Sequence, residues 1–262
     1  MSKHPGTADI GVDLADHVAI VEMRRPPHNF FDIPLIAGLA GIFESLEADP
    51  DCRAIVLCAE GTAFCAGADF RTRDAAPEQP SPRGLNPIYH EALRLFACGK
   101  PVVGAIHGPA VGGGLGLALV PDFRVTCPEA RFSANFNRLG IHPGFGLSVT
   151  LPRLVGPQKA AMLLYTGRRI DGEEAVAIGL ADVLVPQGEV RNEAIRLATE
   201  IATSSPLAVQ STRATLRAGL VDQIRLAVAR ESTEQNWQLK SADFAEGVKA
   251  MAERRAPVFS GK

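Results

Sequence analysis

The chain has 262 residues, 46% of them hydrophobic and 21% charged, with a formal net charge of −2. That length supports one large core, or a main domain with a small appendage, and the balance excludes a disordered chain. The basic residues form no run, which argues against general nucleic-acid binding, and every apolar stretch is broken well short of a membrane span.

Residues 18–23 (VAIVEM) predict a strand that stops at Arg24-Arg25-Pro26-Pro27, because proline cannot continue a ladder. Ile36, Leu39, Phe43 and Leu46 recur at helical spacing and predict a helix over 33–48. Residues 54–58 (AIVLC) form a short, wholly apolar strand, expected to be covered on both faces. Residues 71–87, polar and rich in proline and glycine, predict a surface loop. A helix over 89–96, a strand over 101–106, a helix from 113 to 120 and a strand closing at 122–127 follow. Their alternation argues an α/β fold. Beyond Leu147 the pattern is mainly helical: 157–164, ended by Gly167, then 173–178, stopped by Gly179. A last strand is expected at 181–185, and long helices at 189–203, 206–218 and 222–242. The expected plan is an α/β core over residues 1–195 and a helical region over 196–262.

The five cysteines (52, 58, 65, 98 and 127) are irregularly spaced, with no Cys-x-x-Cys pair. They are expected as buried thiols in a reducing compartment. The first residues carry no secretory pattern, so a cytoplasmic location is expected; an organelle matrix fits equally if a targeting segment has been removed. The histidines are scattered without a His-x-x-x-His pair, and no metal site is expected.

Two loops carry the chemistry. Residues 61–69 (GTAFCAGAD) follow the AIVLC strand, and residues 108–116 (GPAVGGGLG) follow the next one and run into an apolar helix. Small residues let the backbone approach a ligand closely, and N–H groups at a helix start are available to an anion. One N–H from each loop, aimed at one oxygen, makes an oxyanion hole, in which each donor is worth about 3 kcal/mol. The dinucleotide spacing and the Gly-Lys-Ser/Thr phosphate loop are both absent. On composition alone, tight turns in an α/β fold account for the same glycines.

AFCAGADF (63–70), KPVVGAIHGPAVGGGLGLAL (100–119) and LPRLVGPQKAAMLLYTGRRIDGEEAVAIGLADVLVP (151–186) resemble the enoyl-CoA hydratase/isomerase, or crotonase, superfamily, as does the ending EGVKAMAERRAPVFSGK (246–262). The resemblance runs in order from about residue 12 to the end. It implies a spiral of repeated ββα turns with a helical C-terminal part that builds a homotrimer or a dimer of trimers. It implies an acyl-CoA substrate, with coenzyme A as part of that substrate and no permanently bound cofactor. It also implies that the N–H groups of Ala68 and Gly113 grip the thioester oxygen.

The same resemblance places the two hydratase glutamates at Gly116 and Phe136, and the nucleophilic aspartate of the dehalogenase branch at Gly144. None of these residues moves a proton or attacks carbon, so neither ordinary two-carboxylate water addition nor the dehalogenase chemistry is expected. His142 is the leading catalytic candidate, because imidazole titrates near neutrality; ordering a proline–glycine turn is its alternative role. Tyr89 and His90 lie on the helix that lines the pocket mouth in relatives, and adjacent residues on a helix do not share a face. Asn135 and Asn137 are candidates to orient a water or a carbonyl. His107 is expected behind the glycine turn. The coenzyme A contacts are expected at Arg24, Arg25, Ala66, Asp69, Arg71, Phe259 and Lys262, with Arg73 a further phosphate candidate. The leading function is a hydratase-like enzyme that stabilises a thioester enolate without the glutamate pair. The alternatives are an acyl-CoA decarboxylase or carbon–carbon lyase of the same superfamily, and a non-catalytic acyl-CoA-binding protein.

Overall fold

The computed structural model describes residues 3–68 and 86–262. Strand β1 (Ile10–Ala15) pairs antiparallel with β2 (Val18–Met23) across a two-residue turn. Asp16 and His17 both take positive φ there, the geometry that matches strand twist in a tight hairpin. Helix α1 (Ile33–Ala48) starts where the Asp32 carboxylate accepts the Leu35 N–H at 2.9 Å, with proline in its first turn. It buries Leu35, Ile36, Leu39, Phe43 and Leu46. Then come β3 (Ala54–Ala59), α2 (Pro87–Ala97, capped by Asn86), β4 (Val102–Ile106), β5 (Ala110–Val111) and α3 (Gly113–Ala118). Next are β6 (Phe123–Thr126), β7 (Arg131–Ser133), a 3₁₀ turn over Asn135–Leu139, α4 (Leu147–Val155) and α5 (Pro157–Thr166). The chain finishes through β8 (Arg169–Asp171), α6 (Gly172–Ala177), β9 (Val183–Leu184), α7 (Val190–Ala202), α8 (Pro206–Leu216), α9 (Leu220–Gln238) and α10 (Ala242–Ala252).

The main sheet runs β1-β2-β3-β4-β6-β9 and is parallel from β2 onward. A second ladder, β5-β7-β8, is prolonged by parallel bridges between Cys65 and Ala110 and between Phe31 and Ala68. Successive passes of the chain lay one strand in the main sheet, a shorter segment in the second ladder, and then a helix or helical turn. This is the spiral of ββα units that the resemblance implies. Helix α7 lies across β2, β3, β4 and β6 on a stripe of small residues, Ala194, Ala198 and Ala202. Its cover explains why β3 and β4 read as unbroken apolar runs. Residue 195, where the sequence places the end of the core, falls inside this helix.

Several expectations need correcting. The helix expected over 222–242 is two: α9 ends at Gln238, and the Ser241 hydroxyl caps α10 by accepting the Phe244 N–H at 3.0 Å. The strand expected over 181–185 is only two residues long, and the helix from 113 ends at Ala118. Residues 71–85 of the expected loop lie outside the described residues, and Pro87 opens α2. All five cysteines are buried and free. No helix among the described residues is long and apolar enough to cross a membrane.

The helical C-terminal part is fastened to the sheet by Asp122. Its carboxylate accepts from Arg213 Nε at 2.8 Å, Arg217 Nη1 at 2.9 Å and the Val102 N–H at 2.9 Å. Both guanidiniums are largely buried, and desolvation pulls the Arg217 pKa down. Removing the shared carboxylate leaves two cations facing each other out of water. Asp122→Ala is expected to cost about 3 kcal/mol in urea unfolding; a loss below about 0.5 kcal/mol would show that the pairs behave as solvated surface contacts.

Candidate functional site

The first of the two loops is built against the chain after β2. The Pro27 carbonyl accepts from the Thr62 and Ala63 N–H groups, and the His28 carbonyl accepts from Ala66. Asn29, fully buried at φ +49°, donates its side-chain amide to the carbonyls of Glu60 and Ala63. Phe31 N–H reaches the Gly67 carbonyl at 2.9 Å. The second loop is laid against the first: Cys65 donates to Pro109, Val111 donates to Cys65, and Gly112 donates to Ser133 of β7.

That contact leaves no space for side chains. Gly67 takes φ +88°, and a Cβ on it would stand 2.8 Å from the Val111 carbonyl oxygen and 3.6 Å from the Gly113 nitrogen. A Cβ at Gly114 would meet the Cys65 oxygen at 2.0 Å. Gly112, at φ +57° and ψ −123°, has a backbone that side-chain-bearing residues avoid. Among the described residues, nothing accepts the N–H of Ala68 or that of Gly113. Ala66, Ala68 and Gly113 all line one cleft of about 460 Å³.

The cleft is walled mainly by apolar groups, among them Phe31, Ile88, Phe136, Ile141 and Phe145. The rings of Phe31 and Phe145 lie 5.6 Å apart. Phe145 holds φ +61°, an unfavourable conformation for an aromatic residue, and the bonds around it fix it there. The buried Glu231 carboxylate accepts from the N–H groups of Gly146 and Ser148 and from the Ser148 hydroxyl. Burial pushes the Glu231 pKa up, and these three donors oppose that shift. Phe145 is thereby held over α3, where a Cβ on Gly116 would meet its Cβ at 2.6 Å.

Helix α9 supplies a polar column from Glu231, Gln235 and Gln238, which share one face at helical spacing. Gln235 Oε1 lies 2.6 Å from Tyr89 Oη, and its Nε2 donates to the His142 carbonyl at 2.8 Å. Gln238 Oε1 accepts the His142 N–H. The His142 ring donates from Nδ1 to the Pro143 carbonyl at 2.8 Å.

The structure therefore separates the sequence-derived candidates. Tyr89, Asn135 and Phe136 line the cleft with Ala66, Ala68 and Gly113. His90 points to solvent beside Glu91, so of the neighbouring pair it is Tyr89 that faces the cleft. Gly116 lies beneath Phe145 rather than on the cleft wall. Asn137 turns away to donate to the Tyr165 carbonyl. The His142 imidazole is not part of the lining; its main chain is tied to the cleft through Gln235. His107 donates to the Gly61 carbonyl from behind the turn. Arg24 pairs with Glu22, and Arg25 with Asp9 and Asp32, so neither lines the cleft. Phe259 and Lys262 belong to a tail folded against the start of α10: Asp243 accepts the N–H groups of Ser260 and Gly261, and its own N–H reaches the Lys262 carbonyl. Asp69, Arg71 and Arg73 lie outside the described residues.

Sequence reasoning missed Gln235, Phe145 and Arg254, all of which line the cleft. Gln235 sits in a long, mainly polar helix that buries Glu231 and Ser232 as well, so no local signal separates it from its polar neighbours. Among the described residues, no cluster of three or more His, Cys, Asp or Glu side chains stands where it could hold a metal ion.

A ββα spiral whose neighbouring turns close over an apolar cleft defines a crotonase-like protein. The chain belongs to the enoyl-CoA hydratase/isomerase family, whose profile matches residues 13–262, and that is a family of enzymes acting on acyl-CoA. YngF of Bacillus subtilis, named a putative enoyl-CoA hydratase/isomerase, is 33% identical over 94% of this chain and 95% of its own length. A Thermus thermophilus protein, named a putative enoyl-CoA hydratase, is 36% identical over 93% of this chain and 97% of its own. Among solved structures, an enoyl-CoA hydratase/isomerase from Pseudoalteromonas atlantica superimposes with a TM-score of 0.87 at 30% identity, covering 96% of this chain and all of that one.

Glu231 is the support for the Phe145 turn. Truncating it strands two main-chain N–H groups and a hydroxyl without their acceptor. Glu231→Ala is expected to lower stability by about 3 kcal/mol in denaturant titration; an unchanged midpoint and slope would mean that the turn holds itself.

Proposed function

We propose that this protein is an acyl-CoA enzyme that receives the thioester oxygen between the N–H groups of Ala68 and Gly113. It carries its reaction through a thioester enolate without a glutamate pair. One observation carries the reading: two N–H groups from adjacent turns have no acceptor among the described residues, and both belong to residues that line one cleft. As a proton, a nucleophile or a leaving group is exchanged at the acyl chain, negative charge gathers on the thioester oxygen. Fixed donors in a cleft with few polar walls stabilise that charge more than water does.

The positions that the resemblance assigns to the acid and base glutamates support the second half of the proposal. Gly116 lacks a side chain, and Phe145 already fills the space beside it. Phe136 lines the cleft as an apolar wall. The acid–base work of a hydratase-like reaction then falls to other groups, with His142, one main-chain link from Gln235, still a candidate. Carbon–carbon cleavage or loss of carbon dioxide reaches the same enolate, and the second of these needs no protein base. An apolar wall at 136 favours keeping both as the second reading. The exposed Leu207, Leu216, Leu226 and Trp237 on the C-terminal helices support assembly as a trimer or a dimer of trimers.

The test is mass spectrometry of enoyl-, branched, β-keto- and malonyl-type CoA thioesters incubated with the protein in deuterated water. Water addition, deuterium uptake or carbon dioxide loss on at least one thioester is expected. Ala68→Pro, which deletes one N–H, is expected to cut kcat by about 10²–10³-fold while the thioester still binds. Binding across the panel with no mass change would contradict catalysis and favour a binding protein.

A further inference from the structure

Among the described residues, the polar ones that line the cleft are Asn86, Tyr89, Asn135, Gln235 and Arg254. Asn86 Oδ1 accepts the Ile88 N–H at 3.0 Å, Tyr89 and Gln235 are bonded to each other, and Arg254 is exposed. Asn135 differs from all of them. It is half-buried, and its side-chain amide has no hydrogen-bond partner among the described residues. Asparagine at the start of a helical turn usually engages a nearby main-chain group. The 3₁₀ turn over Asn135–Leu139 has no side-chain cap, and in the same turn it is Asn137 that donates to a carbonyl, that of Tyr165. An amide withdrawn from water without a partner costs free energy that a bound ligand can return.

The main chain sets the place of that amide. β5 runs parallel to β7, and the Gly112 N–H donates to the Ser133 carbonyl at 2.8 Å. The glycine turn is thereby tied to the residue two before Asn135. A Cβ on Gly112 would stand 3.5 Å from Asn135 Oδ1 and 3.9 Å from Phe136 Cζ. The amide and the tip of the phenyl ring therefore both rest against the residue that precedes Gly113. Phe136 holds the position where the resemblance expects a glutamate, and the amide stands beside it. An amide donates and accepts hydrogen bonds but does not titrate near neutrality. It can hold an oxygen in place and cannot take its proton.

We propose that Asn135 is a specificity-determining residue that hydrogen-bonds an oxygen carried by the acyl chain near the thioester, a hydroxyl or a carbonyl, and orients it without exchanging its proton. The inference rests on the acyl-CoA reading of the cleft and deepens it. An alkyl chain leaves the amide unpaired, whereas an oxygenated chain satisfies it. The pantetheine arm of coenzyme A carries carbonyls that offer the amide the same chemistry, and the choice of ligands separates these two sources.

The test titrates coenzyme A, S-butyl-coenzyme A and S-(3-hydroxybutyl)-coenzyme A calorimetrically into the full-length protein. Both thioethers lack the thioester and do not turn over. The hydroxybutyl ligand is expected to bind about fivefold more tightly than the butyl ligand. In Asn135→Leu that advantage should vanish, while coenzyme A binds within about twofold of its wild-type affinity and butyl affinity does not fall. In Asn135→Asp, whose carboxylate still accepts from a hydroxyl, the advantage should persist. Equal wild-type affinity for the butyl and hydroxybutyl ligands overturns the proposal, even if a variant fails to fold. A hydroxyl advantage that survives Asn135→Leu, or one that disappears in Asn135→Asp, overturns it too. So does an equal loss for all three ligands in Asn135→Leu, which would assign the amide to the coenzyme arm. No binding of any ligand overturns the acyl-CoA reading beneath it.

Discussion

Two hydrogen bonds at Cys65, one to the Pro109 carbonyl and one from the Val111 N–H, hold two chain turns at backbone contact. That contact requires glycine at 67 and 114, where a Cβ would fall within 2.8 Å of a carbonyl oxygen. It also brings Ala68 and Gly113 to the same cleft. The main sheet serves this arrangement. β3 and β4 are neighbours in it, so the loops that leave them emerge side by side, and the second ladder stitches those loops together. The spiral repeats a ββα unit, and the site forms where two consecutive repeats meet.

Around this backbone device the described residues line the cleft with aromatic rings and no carboxylate. Phe145 occupies the space beside Gly116 and is held in a strained conformation by Glu231, a carboxylate engaged with three donors and fully buried. The polar function reaches the cleft from α2 and α9 instead, as Tyr89 and Gln235. Glycine at 144 makes room for the phenol, and glycine at 116 makes room for Phe145. A carboxylate side chain at 144 would collide with the phenol, and one at 116 with Phe145.

Much of this was legible in the sequence because it rests on local signals. The period of Ile36, Leu39, Phe43 and Leu46 gives α1 at its full observed length, and the runs VAIVEM and AIVLC mark β2 and β3. The glycine loops are visible because close backbone approach leaves no other residue type possible. What escaped reading depends on distant partners. β5, β7 and β8 are two or three residues long, too short for any periodicity, and exist because the second ladder pairs them. β1 closes on a turn of Asp16 and His17, without the glycine that usually marks such a hairpin. Helical facing limited the choice to one of Tyr89 and His90, but only packing against Gln235, 146 residues away, shows which. His142 drew notice as a titratable residue, yet its carbonyl is what the cleft uses, and no side-chain pattern reports that.

The central claim is that Ala68 and Gly113 bind the thioester oxygen through their N–H groups. Infrared difference spectroscopy on a bound acyl-CoA with an isotope-labelled thioester carbonyl reads that contact directly, because donation to the oxygen weakens the C=O bond and lowers its stretching frequency. The account predicts a downward shift on binding to the wild-type protein and a smaller one in Ala68→Pro. A carbonyl frequency equal to that in water, unchanged by the substitution, would contradict it.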